Sequence, residues 1–365
     1  MEYICEWRLL ERCLAYLILE TGQIFSGRFR GGRERAGEVV FNTSHSGYEE
    51  MATDPSYFSQ ILVTTATQQG NYGVNNSFWE SRRLWINGFV ALEIQQSSRD
   101  SSWLSRLIEN EIPVLTDIDT RALTLVLRSQ GTTWGSIVNC DDLAIAKDRA
   151  VKLIEEAKKL PADWTQIVCR QKIEDRKGKI LKGPRIAVLD FGAKENILRE
   201  LELRAQEIRI FPSNTTAEEI LAWKPDGIML SNGPGDPAKV EVGTHTVRQL
   251  LGKKFIFGIC MGHQVLALAL GAKTYKLKFG HRGSNHPIRD DILGKVYVTS
   301  QNHGYNVDSQ SLPEGVRVTH INLNDKTVAG IGCSKFRCMS VQFHPESHPG
   351  PHDASQLFDY FMKEL

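Results

Sequence analysis

The chain has 365 residues, long for one domain and comfortable for two, and its net charge is +1 at pH 7. That balance favours neither nucleic acid nor an anionic membrane as a partner, and no apolar run approaches the roughly 18 residues of a membrane-spanning helix. Seven cysteines (5, 13, 140, 169, 260, 333, 338), odd in number and without a CxxC pair, point to reduced thiols in a cytoplasmic compartment and not to a disulfide framework.

Residues 1–13 carry Glu2, Glu6, Arg8, Glu11 and Arg12 and lack the basic-then-apolar order of a secretion signal, so they read as an upstream start or an extension. Strands are expected near 15–19, 39–41 and 60–64. A helix should follow Asp119-Thr120, where either residue can cap it and Gly131 can end it. A second helix is expected over 144–160, where Val151, Ile154, Ala157 and Leu160 recur at helical spacing. The stretch 170–184 then runs polar without period, as an exposed connection would. Beyond it strands and helices alternate: strand 185–190, helix 193–204, strand 207–211, helix 216–223, strand 226–230, a Gly-Pro-Gly loop, another helix, and the strand leading to Cys260. This order implies a parallel, doubly wound sheet. Past Gly271 β-type runs dominate, among them 295–299 and 337–343, with Cys333 and Cys338 as strand cysteines, and a closing helix is expected over 355–365. The expected architecture is α/β, with a mixed α+β domain over 1–150, a connecting helix and linker over 151–183, and a doubly wound, mostly parallel domain over 184–365.

The chemistry concentrates in that last domain. Lys253-Lys-Phe-Ile-Phe-Gly-Ile-Cys-Met-Gly-His-Gln264 reads as a buried strand, a nucleophile between Gly258 and Gly262, and a helix start. Glycines two residues either side of Cys260 remove the Cβ atoms that would clash in a sharp strand-to-helix turn, the geometry of a nucleophile elbow. A free thiol is only about 3% thiolate at pH 7, and a helix N-terminus and a nearby imidazole raise that fraction. The candidate imidazole is His344, in Ser340-Val-Gln-Phe-His-Pro-Glu346, with Glu346 positioned to accept from one ring nitrogen while the other faces the thiol. The backbone N–H of Met261 and the Asn232-Gly-Pro-Gly235 loop, where Gly233 can approach the substrate closely, are candidate oxyanion donors. His344, Glu346, His348 and His352 also cluster, but prolines at 345, 349 and 351 prevent one helical face and the spacing is not that of zinc, so no metal is expected. No GxxxxGK[ST] occurs, so any ATP would be bound by another polypeptide.

The blocks Phe257-Gly-Ile-Cys-Met-Gly-His-Gln264, Ser231–Pro237 and His344-Pro-Glu346 resemble those of class I glutamine amidotransferase domains, which hydrolyse the glutamine side-chain amide through a γ-glutamyl thioester. Gly37-Glu-Val-Val-Phe-Asn-Thr-Ser44, Gly47-Tyr-Glu-Glu, Thr53-Asp-Pro-Ser-Tyr57, Gly70-Asn-Tyr-Gly-Val-Asn75 and Thr116-Asp-Ile-Asp-Thr-Arg-Ala-Leu-Thr124 resemble the small, glutamine-hydrolysing subunits of carbamoyl phosphate synthases. The similarity covers about residues 14–365. By this resemblance Cys260 is the nucleophile, His344 the general base and acid, and Glu346 its orienting residue. Glutamine contacts fall on Ser56, Gly233, Gly235, Met261, Gln264, Asn302, Gly304 and Tyr305. With Ser56 in the first domain, the pocket would be completed across the domain interface. Met261 and Tyr305 stand where leucine and phenylalanine are usual, both at backbone contacts.

The resemblance further implies a large subunit that binds ATP and magnesium and uses bicarbonate, with no cofactor on this chain. Ammonia would reach it through a channel, because ammonia released to water near pH 7 is mostly unreactive ammonium. The product would feed pyrimidine and arginine biosynthesis. Two other readings are a subunit of another synthase, such as one making GMP or anthranilate, and a degenerate regulatory scaffold. The 37–75 block speaks against the first, and the intact Cys260, His344 and Glu346 against the second.

Overall fold

The computed structural model describes residues 14–365, so residues 1–13, read above as an extension, lie outside the described residues. Two compact units result. Of the described residues, the first holds 14–42 with Ser59–Val74 and Ile86–Leu160; the second holds Thr43–Phe58, Asn75–Trp85 and Pro161–Leu365. The chain therefore passes between the units repeatedly, where the sequence suggested one passage.

The first unit is built on a closed barrel in the order Leu14–Leu19, Ile24–Gly31, Val114–Thr116, Gly88–Val90, Gln60–Thr64, Arg35–Asn42, Thr133–Asn139. Leu14–Leu19 closes it by pairing antiparallel with Ile24–Gly31 on one side and Thr133–Asn139 on the other. Between these, Arg35–Asn42, Gln60–Thr64, Gly88–Val90 and Val114–Thr116 run parallel. Closure leaves no unpaired strand edge and encloses Leu17, Val39, Ile61, Val63 and Leu115, while Phe89 faces outward onto Trp103. Of the two caps the sequence offered for Thr120–Gln130, Asp119 serves: its Oδ1 accepts from Ala122 N at 2.8 Å, and left-handed Gly131 ends the helix. Asp142 caps Leu143–Ala157 in the same way.

The second unit is a ten-stranded sheet. Its centre is the parallel set Glu207–Pro212, Arg185–Asp190, Gly227–Leu230, Phe255–Ile259, Cys338–Val341. Side-chain alternation along Arg185–Asp190 divides the core: Ile186 and Val188 pack with Ile197, Leu198, Leu201 and Phe358, while Ala187 and Leu189 pack with Ile220, Val247, Leu250 and Val265. Helices thus cover both faces, and the carboxyl ends of the central strands converge on one rim. Antiparallel strands extend both edges. One of them, Glu174–Lys177, comes from the polar stretch read as a linker; it pairs with Glu207–Pro212, and its alternating partly covered and exposed residues are those of a solvent-facing edge strand. At the other edge lie Val328–Cys333, Arg317–Asn322 and the long hairpin Thr274–Asp290/Lys295–Val307. Cys333 and Cys338 face each other across an antiparallel pair, both buried, as expected of strand cysteines.

Candidate active site

Phe255–Ile259 is fully buried and ends at Cys260, whose φ of 53° and ψ of −101° turn the chain directly into the ten-residue helix Met261–Leu270. A side-chain residue in this left-handed region costs about 1–3 kcal/mol and persists only when its surroundings over-determine it. The surroundings do so here. Cys260 N donates to Val341 O at 2.9 Å and Gly262 N to Ser231 O at 2.9 Å. A Cβ on Gly258 would lie 2.6 Å from Gly262 O, and one on Gly262 2.3 Å from Leu230 O, so both glycines are required by close backbone approach. The elbow places the thiol over the positive end of the helix, and Met261, first in the helix, has an N–H with no intrahelical acceptor. The thiol, almost fully enclosed, lies 3.7 Å from Asn302 O.

His344 lies three residues past Cys338–Val341, pinned by a bridge in which His344 N donates to Ser300 O at 2.9 Å. Its Nδ1 is 2.6 Å from Glu346 Oε1, while Nε2 is buried and makes no formed hydrogen bond. Burial opposes protonation of the ring, but Glu346, and after it the Cys260 thiol, outweigh that and hold its pKa above the usual imidazole value. Burial likewise works against ionised Glu346, yet His344 and then Lys194 keep that carboxyl below the usual range.

Lys194 carries no mark in the sequence, yet it is part of this arrangement. Its Nζ is buried 3.2 Å from Glu346 Oε1 and donates to Ser347 O. Asn196 Nδ2 donates to Glu346 O. Glu80, from the Asn75–Trp85 segment, is a second acidic neighbour of Lys194; it accepts from Asn196 N at 3.0 Å and meets Arg199 at 3.2 Å, and burial lifts its pKa to about 7. His348 Nδ1 lies 3.5 Å from Glu80. Among the described residues no group of three or more His, Cys, Asp or Glu is arranged to hold a metal ion, and no helix is long and apolar enough to cross a membrane.

The residues singled out for glutamine fall around this centre. Asn232, at the tip of Gly227–Leu230, is the organiser the sequence did not mark. Its Oδ1 accepts from Lys194 N at 3.0 Å, and its Nδ2 donates to Ser56 Oγ at 2.8 Å and to Asp54 Oδ1 at 3.3 Å. Ser56 thus belongs to the second unit itself, which corrects the expectation that it would reach the pocket from another domain. Gly233 lies so close to Phe191 O that a Cβ would come within 2.2 Å, and Gly235 is left-handed at φ 94°. One turn beyond Cys260, Gln264 Nε2 donates to Tyr305 O at 2.8 Å and to Gln342 Oε1 at 3.0 Å, which commits both its hydrogens and leaves Oε1 as an acceptor. Asn302, Gly304 and Tyr305 lie on Lys295–Val307, with Asn302 Nδ2 buried and unpaired.

A thiol on a left-handed elbow, a carboxylate-backed imidazole with an unengaged nitrogen, and a glycine loop at the same sheet rim define a class I glutamine amidotransferase domain, and residues 187–364 match the family model described as glutamine amidotransferase class-I. Residues 17–137 match the model described as carbamoyl-phosphate synthase small chain, CPSase domain. The carbamoyl phosphate synthase small chain of Bacillus caldolyticus is 47% identical over 355 residues, 95% of each chain. That of Fusobacterium nucleatum subsp. nucleatum is 44% identical over 357 residues, 96% of this chain and 97% of its own. The pyrimidine-specific small chain of Halalkalibacterium halodurans is 44% identical over 356 residues, 95% of this chain and 96% of its own. The chain belongs to the carbamoyl phosphate synthase small-chain family.

Proposed function

We propose that this chain hydrolyses glutamine and delivers ammonia to a large subunit that makes carbamoyl phosphate from bicarbonate and ATP. The observation that carries the reading is the His344 ring, held basic by Glu346 at Nδ1 and coupled to Cys260 with Nε2 unengaged. Cys260 Sγ, its proton passed to His344, attacks the side-chain carbonyl carbon of glutamine. Met261 N–H and the Gly233 loop stabilise the oxyanion. His344 returns the proton to the leaving nitrogen, ammonia departs, and a γ-glutamyl thioester remains. Water then attacks as His344 takes its proton, and glutamate leaves as the thiol is restored. Ser56, Gly233, Gly235, Met261, Gln264, Asn302, Gly304 and Tyr305 bind the substrate, with Gln264 Oε1 an acceptor for its ammonium or amide.

The reading places no cofactor on this chain; ATP and magnesium belong to the large subunit, and ammonia crosses to it by a channel. It assigns the complex to the cytoplasm and its product to pyrimidine and arginine biosynthesis. The test is carbamoyl phosphate formation by this chain mixed with its large subunit, glutamine being the only nitrogen source. Product should require both chains. Cys260→Ser should abolish glutamine-dependent synthesis and leave ammonia-dependent synthesis intact; loss of both from an assembled complex would sink the proposal.

A further inference from the structure

The hairpin Thr274–Asp290/Lys295–Val307 pairs His281 with His303 across its strands, and the pairing is irregular between Lys276 and His281. Such bulges re-aim a side chain, and this one includes left-handed Gly280. His281 Nδ1 lies 3.3 Å from His303 Nε2, the rings meeting edge to face with centroids 4.9 Å apart. On its far side His281 Nε2 meets Asp325 Oδ2 at 2.7 Å. Asp325, in the turn between Arg317–Asn322 and Val328–Cys333, is itself fixed by Thr327, whose Oγ1 donates to Oδ1 at 2.8 Å and whose N does so at 3.1 Å. The His286 ring lies 5.3 Å from that of His281.

The chemistry of the partners sets the direction of this chain. Tyr305 O can only accept, so His303 Nδ1, 2.8 Å away, carries the proton and Nε2 presents a lone pair. Gln301 Oε1 stands 2.9 Å from that nitrogen, where an oxygen cannot serve a lone pair, and turning the amide end for end gives Nε2 an NH2 donor in its place. With Asp325 Oδ2 accepting at Nε2, His281 donates from Nδ1 as the doubly protonated ring, and Asp325 both holds it in that orientation and balances its charge. Tyr305 O in turn accepts from Gln264 Nε2. We infer that Asp325 and His281 are positioning residues for glutamine: through His303 they fix the Tyr305 carbonyl, and through it the Gln264 side chain. None of the pair's contacts reaches Cys260 or His344, so its influence falls on substrate binding and not on the chemical steps.

This rests on the glutamine reading above, and the experiment separates the two. The assembled complex is assayed with glutamine and, separately, with ammonia, for wild type, Asp325→Asn and His281→Ala. Asp325→Asn keeps an oxygen for Thr327 and so preserves the turn. Each variant should raise KM for glutamine about tenfold, the scale of one lost charge-assisted hydrogen bond, with kcat within about twofold and the ammonia rate unchanged. Combining them should cost no more than His281→Ala alone, because the two act in series. An unchanged KM in both variants, or a thermal midpoint that drops while KM holds, overturns the inference. A wild-type complex that makes product from ammonia but not from glutamine overturns the functional reading and this inference with it.

Discussion

His263 and His344 lie buried in the same unit, one three residues beyond Cys260 on Met261–Leu270, the other past Cys338–Val341, and each meets a single partner at Nδ1. For His263 that partner is Ser340 Oγ at 2.8 Å, and burial, with His320 adding to it, drops the ring to a pKa of about 3. For His344 it is the Glu346 carboxylate at 2.6 Å, and the ring is held above its ordinary value although equally enclosed. Burial by itself silences an imidazole. An adjacent carboxylate, kept ionised by a buried lysine, turns the same burial into a capacity to hold a proton.

The largest expected effect breaks this contrast directly. His344→Asn should lower glutamine-dependent kcat by about 10³-fold while ammonia-dependent synthesis persists, measured on the assembled complex. Surviving glutamine turnover would mean that another imidazole carries the proton, with His263 first in line.

Next is the support behind Glu346. Lys194→Met leaves buried carboxylates without their cation and should cost about 3 kcal/mol in urea unfolding near pH 7. Glu346 is depressed in the folded state, so its contribution is present above its unfolded value of about 4.5 and disappears as pH falls through the folded value. The gap between wild type and variant should therefore narrow below about pH 4, stand open near neutrality and grow further above pH 7 as Glu80 ionises. A gap that widens in acid would show that Lys194 does not hold the carboxylate ionised. The smallest effect is that of Ser340→Ala, which leaves His263 Nδ1 unpaired and should cost about 1 kcal/mol with glutamine kinetics near wild type. A collapse of kcat would make His263 a participant and erase the distinction between the two rings.

The elbow was legible in the sequence because its requirements are local: two glycines, a cysteine and a buried strand fit only a narrow set of backbones. The alternation of elements from 185 onward is likewise local and gives the parallel sheet. Lys194 was not legible, since its burial depends on Glu346 and Glu80, more than a hundred residues away on either side. Asn232 looks like any loop asparagine until Lys194 N and Ser56 Oγ are found on its two ends. Glu174–Lys177 was misread as linker because an edge strand exposes side chains that a buried strand would not. The barrel was hidden for the opposite reason, in that its closure pairs Leu14–Leu19 with Thr133–Asn139, a contact no window of sequence contains.

The threading of Thr43–Phe58 and Asn75–Trp85 into the second unit has a consequence for how the chain is made. Those segments leave the ribosome early, yet the strand that precedes His344 is among the last to emerge, so the hydrolytic unit can assemble only near the end of synthesis. For the same reason a cut at residue 160 would not release a self-sufficient module: Asn232 would lose Ser56 and Asp54, and Lys194 would lose Glu80. Fusion, shuffling or truncation of this chain has to treat its two halves as one inheritable piece.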